Sequence, residues 1–169
     1  MSQMAKGRDA GLAPGARRGV QDQTDTGAIA QGARVMTLDG ALPVEFLSPG
    51  DRVVTRSGAM RLRAIEMRVV PGPMIRIAAS GLGDGRPDRP LLLAPATPVL
   101  LRGWRARAIF GAPQALVAVA RLVNGDDVTR VSGDELRCFV LGFDTAQVIY
   151  VDGVEVGCVA MAAPAVAAA

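Results

Sequence analysis

The chain has 169 residues, 50% of them apolar and 21% charged, enough for one domain with a sizeable core and too apolar for an intrinsically disordered polymer. Nineteen Lys and Arg against 16 Asp and Glu leave a net charge of +3; the densest basic residues (Arg61, Arg63 and Arg68, with Arg17 and Arg18 upstream) lack interleaved aromatics, so no nucleic-acid partner is expected. Histidine is absent altogether, which removes the usual general base near neutral pH, the commonest zinc ligand and every Ser-His-Asp or Cys-His arrangement.

Residues 1–27 carry Gly, Pro, Gln, Asp and Thr without apolar periodicity, which predicts a flexible arm. They show no apolar region of the secretory kind, and no run anywhere approaches the roughly 18 to 20 residues of a membrane span. No membrane association is expected, and the cytoplasm is the default compartment. From Ala28 onward short apolar segments recur between turn signals. Ala33-Arg34-Val35-Met36-Thr37 precedes Asp39-Gly40, residues 42–47 follow, and Arg52-Val53-Val54-Thr55 lies between Pro49-Gly50 and Ser57-Gly58. Alternation and turn chemistry make these strands.

Residues 62–70 and 74–79 continue the pattern across Pro71-Gly72-Pro73, and Arg86-Pro87-Asp88-Arg89-Pro90 reads as an exposed loop. Residues 91–93 and 99–101 flank a kink at Pro95 and Pro98. Trp104, the single tryptophan, opens a segment after Gly103 and is expected to anchor the core or its edge. Residues 116–123 fit a strand better than a short helix, with Asn124-Gly125 ending them. Residues 138–143 and 147–156 close the series, the latter turning at Asp152-Gly153. About ten short strands predict an all-β domain of barrel or sandwich type, followed by an alanine-rich disordered tail over residues 158–169.

Cys138 and Cys158 lack CxxC spacing, so neither a disulfide framework nor a zinc site is expected, and one bridge between them stays open. The simplest role for both is that of a small buried hydrophobe. Three strings suggest chemistry and fail on context. Asp25-Thr26-Gly27-Ala28 matches the loop of retropepsin-like aspartic proteases, but polar Gln21-Asp22-Gln23-Thr24 stands where an apolar strand belongs. Asn124-Gly125-Asp126-Asp127 lacks the alternating oxygen ligands and closing Glu of an EF-hand. Gly81-Leu82-Gly83-Asp84-Gly85 lacks the strand-to-helix context of a dinucleotide site. No cofactor and no metal are expected.

The ordered series Gly32-Ala33-Arg34-Val35-Met36-Thr37, Asp39-Gly40, Pro43-Val44-Glu45 and Leu47-Ser48-Pro49-Gly50-Asp51-Arg52-Val53-Val54-Thr55 resembles the opening of a Hedgehog/intein (Hint) domain. That opening reads approximately G-T-x-I-x-T-x-x-G-x-x-P-V-E-x-L-x-P-G-D-x-V-x-T. Downstream, the 81–85 loop, residues 91–101, Gly103-Trp104-Arg105-Ala106, Phe110-Gly111, Leu116-Val117 and Leu122-Val123-Asn124-Gly125 follow the order of the bacterial Hint subfamily. The resemblance covers about residues 28–157. It implies an all-β Hint fold, a flat horseshoe-like barrel of short antiparallel strands, which in active members performs an N-to-S or N-to-O acyl shift at its first residue. Such chemistry needs a Cys, Ser or Thr nucleophile at the junction and a histidine that protonates the leaving amide nitrogen, with further histidines near the last strands.

Carried over position by position, none of these groups is present. The nucleophile position is Ala28. The block resembling L-V-S-P-x-H-x-V-L reads Leu92-Leu93-Ala94-Pro95-Ala96-Thr97-Pro98-Val99-Leu100, so its serine is Ala94 and its histidine Thr97. The two later histidine positions are Val140 and Ala146, whose aliphatic side chains are expected to fill a core where the active cleft would otherwise lie. The resemblance therefore implies a degenerate, catalytically inactive Hint module, monomeric and without catalytic residues, used for binding or structure. Its partner would be a protein or peptide on an open strand edge or in the relic cleft. The alternative is residual self-cleavage near Gly27-Ala28, with Thr24, Thr26, Cys138 or Cys158 as a displaced nucleophile.

Overall fold

A computed structural model of the chain describes residues 27–132 and 135–161. The expected arm up to residue 26, the Asp25-Thr26 half of the protease-like string, and residues 162–169 of the expected tail lie outside the described residues.

Two hairpins of one design open the domain. Strands β2 (Arg34–Thr37) and β3 (Gly40–Pro43) are joined through Thr37-Leu38-Asp39-Gly40, and β4 (Arg52–Thr55) and β5 (Gly58–Arg61) through Thr55-Arg56-Ser57-Gly58. In each, the threonine hydroxyl donates to the glycine carbonyl, at 2.8 and 2.7 Å, and accepts the N–H two residues on at 3.0 Å. The glycines have φ of 101° and 106°, a region that side-chain-bearing residues rarely enter. Alternation then sorts the faces: Val35 and Val53 are buried while Arg34 and Arg52 face solvent.

The remaining strands are β1 (Ile29–Ala30), β6 (Ala64–Val70), β7 (Met74–Ile77), β8 (Leu91–Leu93), β9 (Pro98–Arg102), β10 (Gln114–Ala118), β11 (Val128–Val131), β12 (Leu136–Gly142), β13 (Gln147–Val151) and β14 (Val154–Cys158). One six-stranded sheet runs β11-β7-β8-β1-β12-β6, and an eight-stranded sheet runs β10-β9-β14-β13-β2-β4-β5 with β3 on β2. The domain is all-β in architecture, as expected. Both sheets feed a single main core that includes Val35, Val53, Ile75, Leu93, Ile149 and Phe143. The β13–β14 hairpin turns at Asp152-Gly153, both at positive φ. Two-residue β1 lies between β8 and β12, with Ile29 opposite Leu93 on one side and Phe139 on the other.

Four expectations are corrected. Residues 42–47 are not one strand: Pro43, which has no N–H to give to a ladder, ends β3, and a 3-10 turn follows at Val44–Phe46. Residues 116–123 likewise divide at Ala118, because the N–H groups of Val119 and Ala120 go to the carbonyls of Thr97 and Pro95 and wind a 3-10 turn over Val119–Leu122. Trp104 is not a core anchor. It starts helix α1 (Trp104–Phe110), which buries Ala106 against Leu101 and Val117; a position two residues from the buried one points away from it, and Trp104 is 73% exposed. Finally, the folded chain continues past the expected boundary at 157. Strand β14 ends at Cys158, Ala160 bridges Phe143, and the Met161 N–H donates to the Phe143 carbonyl at 2.8 Å. No helix among the described residues is long and apolar enough to cross a membrane.

Candidate functional site

Because β1 pairs with β8 and β12, residues far apart in sequence meet at the Gly27–Ala28 junction. Ala28 is buried, and its methyl group joins an apolar cluster with Ala30, Met74, Ala94 and Cys138. Its backbone is held by the residue 69 positions on. The Thr97 hydroxyl accepts the Ala28 N–H at 3.0 Å and donates to the Ala28 carbonyl at 3.0 Å, and that carbonyl also accepts the Ala94 N–H at 2.9 Å. The one hydroxyl proton is thereby committed to the carbonyl and a lone pair to the N–H, so Thr97 presents no proton to the nitrogen of the Gly27–Ala28 bond. Gly27 is pressed against the same loop: a Cβ there would lie 2.6 Å from Thr97 Cα and 2.9 Å from Pro98 Cδ.

A small cleft of about 50 Å³ adjoins this junction, lined by Gly27 and Thr97 with Phe139, Val140, Gly157 and Cys158 among its walls. Of the five positions singled out from the sequence, the structure brings together Ala28, Ala94, Thr97 and Val140. Val140 is half-buried and packs against the cluster that holds Ala28. Ala146 does not join them. It is exposed, in the connection between β12 and β13, so the expectation that it fills a core is corrected: a turn position has no interior to fill.

Sequence reasoning treated Thr97 as a missing histidine and overlooked what its hydroxyl does. One signal was available: Thr97 is the only polar side chain in the stretch 91–101, and a lone buried hydroxyl has to find partners.

Both cysteines are free, Cys138 buried and Cys158 half-buried. Burial pushes the Cys138 thiol up to about 11 and the Cys158 thiol up to about 12, because an apolar surrounding disfavours the thiolate. Cys158 therefore sits in the cleft as a neutral thiol at physiological pH and is a weak nucleophile there. In the folded protein at pH 8, iodoacetamide is expected to alkylate Cys138 about 100-fold and Cys158 about 1,000-fold more slowly than after unfolding, since thiols with pKa values near 11 and 12 are roughly one-thousandth and one ten-thousandth thiolate at that pH. Mass spectrometry of timed samples checks this, and rapid single labelling of native protein would contradict it. Among the described residues, no group of three or more acidic or cysteine side chains is placed to hold a metal ion.

Comparison with known proteins places this geometry. A profile described as a Hint domain matches residues 28–162. The solution structure of a bacterial intein-like domain from Clostridium thermocellum aligns at a TM-score of 0.58 and 12% identity, over 78% of this chain and 96% of that one. The crystal structure of the MchDnaB-1 intein carrying the N145AA change aligns at 0.51 and 15% identity, over 79% and 100%. That of the gp41-1 intein aligns at 0.50 and 10% identity, over 76% and 96%. At such identities the likeness establishes the fold alone. No curated protein matches the chain.

Proposed function

Since the chain belongs to the Hint domain family, we propose that it is a catalytically inactive member of the bacterial type, a pseudo-autoprocessing module retained for binding or structure. The observation that carries this reading is the polarity of the contact at Ala28. An acyl shift requires a nucleophile on that residue and a proton delivered to its amide nitrogen. Ala28 offers a methyl group in an apolar cluster, and Thr97 accepts the amide N–H instead of donating to the nitrogen. The raised thiol pKa values of Cys138 and Cys158 support the same reading, since neither cysteine supplies a thiolate near neutrality.

The size of the relic cleft bears on how such a module would bind. At about 50 Å³ it is well below the roughly 300 to 1,000 Å³ of ordinary ligand pockets. A peptide partner would accordingly use a strand edge, where backbone groups supply the hydrogen bonds; β6 and β11 end one sheet, β10 and β5 the other.

Intact mass tests the inactive reading directly. Freshly purified full-length protein is expected at 17.5 kDa and to stay there through long incubation with dithiothreitol or hydroxylamine, which intercept thioester and ester intermediates. Loss of the residues preceding Ala28 in a nucleophile-dependent way would overturn it and favour residual self-cleavage.

A further inference from the structure

A second cavity, of about 230 Å³, opens farther along β14 between the 82–86 loop, β9 and α1. Charged groups dominate its wall: Asp84, Arg86, Arg102, Arg105 and Glu155. The Glu155 side chain is only 3% exposed. Its Oε1 accepts from Arg102 through Nε at 2.9 Å and through Nη2, and lies 3.5 Å from Arg86 Nη1; its Oε2 lies 3.5 Å from Arg56 Nε. Three guanidiniums thus converge on one carboxylate. A fourth, Arg105, donates from Nη1 to the Gly81 carbonyl at 3.1 Å and lies over the Trp104 ring at 5.5 Å, with no carboxylate in ion-pair range among the described residues.

One arginine is enough to neutralise a buried glutamate, and each further guanidinium brought to it adds repulsion between like charges. Arg86, Arg102 and Arg105 against Asp84 and Glu155 leave an excess of one positive charge on the cavity wall, and Arg56, outside that wall, adds a further guanidinium at Glu155 Oε2. We propose that this cavity is a binding site for a small oxyanion of the phosphate class. Such a group brings negative charge to a wall with a positive excess, and its oxygens match the planar forks of Arg86, Arg102 and Arg105. Glu155 and the Gly81 carbonyl already hold Arg86, Arg102 and Arg105 in place, so little side-chain freedom is left to lose on binding. The volume falls below that of sites for drug-sized ligands and suits a single phosphate group, either free or carried on a phosphorylated side chain that enters from outside.

Trp104, the only tryptophan, is a built-in reporter because Arg105 stacks on it. Full-length protein is titrated with inorganic phosphate and, separately, with a short blocked phosphoserine peptide, at ionic strength held constant with chloride. Fluorescence and calorimetry are read together. The expected result is saturable binding that weakens about tenfold or more in Arg105→Gln and in Arg86→Gln, with circular dichroism showing both variants folded. Tighter binding of the peptide would assign the site to a phosphorylated chain, and equal or tighter binding of inorganic phosphate to the free ion; either supports the site. Absence of saturation by both methods, equal binding in both variants, or a response reproduced by chloride alone would overturn it.

Discussion

Phe143→Ala is expected to lower the unfolding free energy by about 3–5 kcal/mol, the range for truncating a buried aromatic in a packed core. Phe143 is 1% exposed and is among the largest fully buried side chains of the main core. Against a typical total of about 5–15 kcal/mol, that loss leaves a marginal domain. The effect should also reach the small cleft beside the Gly27–Ala28 junction. The Phe143 carbonyl receives the Met161 N–H, and Phe143 bridges Ala160, so the segment that follows Cys158 and Val159, both in the cleft wall, is tied down at this residue. Urea denaturation of variant and wild type measures the first effect as a shifted midpoint at unchanged slope. Hydrogen exchange at the Met161 amide measures the second, with faster exchange expected. A cost below about 1 kcal/mol would mean that the core collapses around the missing ring, the condition under which cavity costs become small.

What could be read from the sequence was what neighbouring residues decide. The Thr37-to-Gly40 and Thr55-to-Gly58 turns are legible because strand end, hydroxyl and glycine fall within four residues. Asp152-Gly153 is legible for the same reason. Helix α1 was hidden by its brevity: seven residues between Gly103 and Gly111 bury chiefly Ala106, too little for an apolar stripe to show. The exposure of Trp104 follows from that helix and was hidden with it. At the site, the Ala28 and Thr97 positions came from the resemblance, but their contact spans 69 residues and exists only because β1 is flanked by β8 and β12. Ala146 shows the converse failure. Its position came from the same resemblance, and the connection after β12 carries it to the surface.

Thr97→Val is expected to destabilise the domain by about 1–3 kcal/mol while nearly preserving side-chain volume. The argument turns on which groups are stranded. The Ala28 carbonyl keeps the Ala94 N–H, whereas the Ala28 N–H has the Thr97 hydroxyl as its partner and would be left buried and unpaired, which costs about 1–3 kcal/mol. Thr97→Ser keeps the hydroxyl and gives up one buried methyl group, worth about 0.8 kcal/mol. Thermal unfolding of the two variants beside wild type therefore separates hydrogen bonding from packing, with the valine variant the weaker. If valine were tolerated as well as serine, the hydroxyl would not be what holds the junction. The ordering also carries the functional argument. At the position that the resemblance aligns with the family's proton donor, this chain has a side chain that takes up the amide N–H of the bond an acyl shift would break. A contact that stabilises the intact peptide bond in the folded ground state does nothing to lower the barrier to its cleavage, because only interactions stronger in the transition state accelerate a reaction.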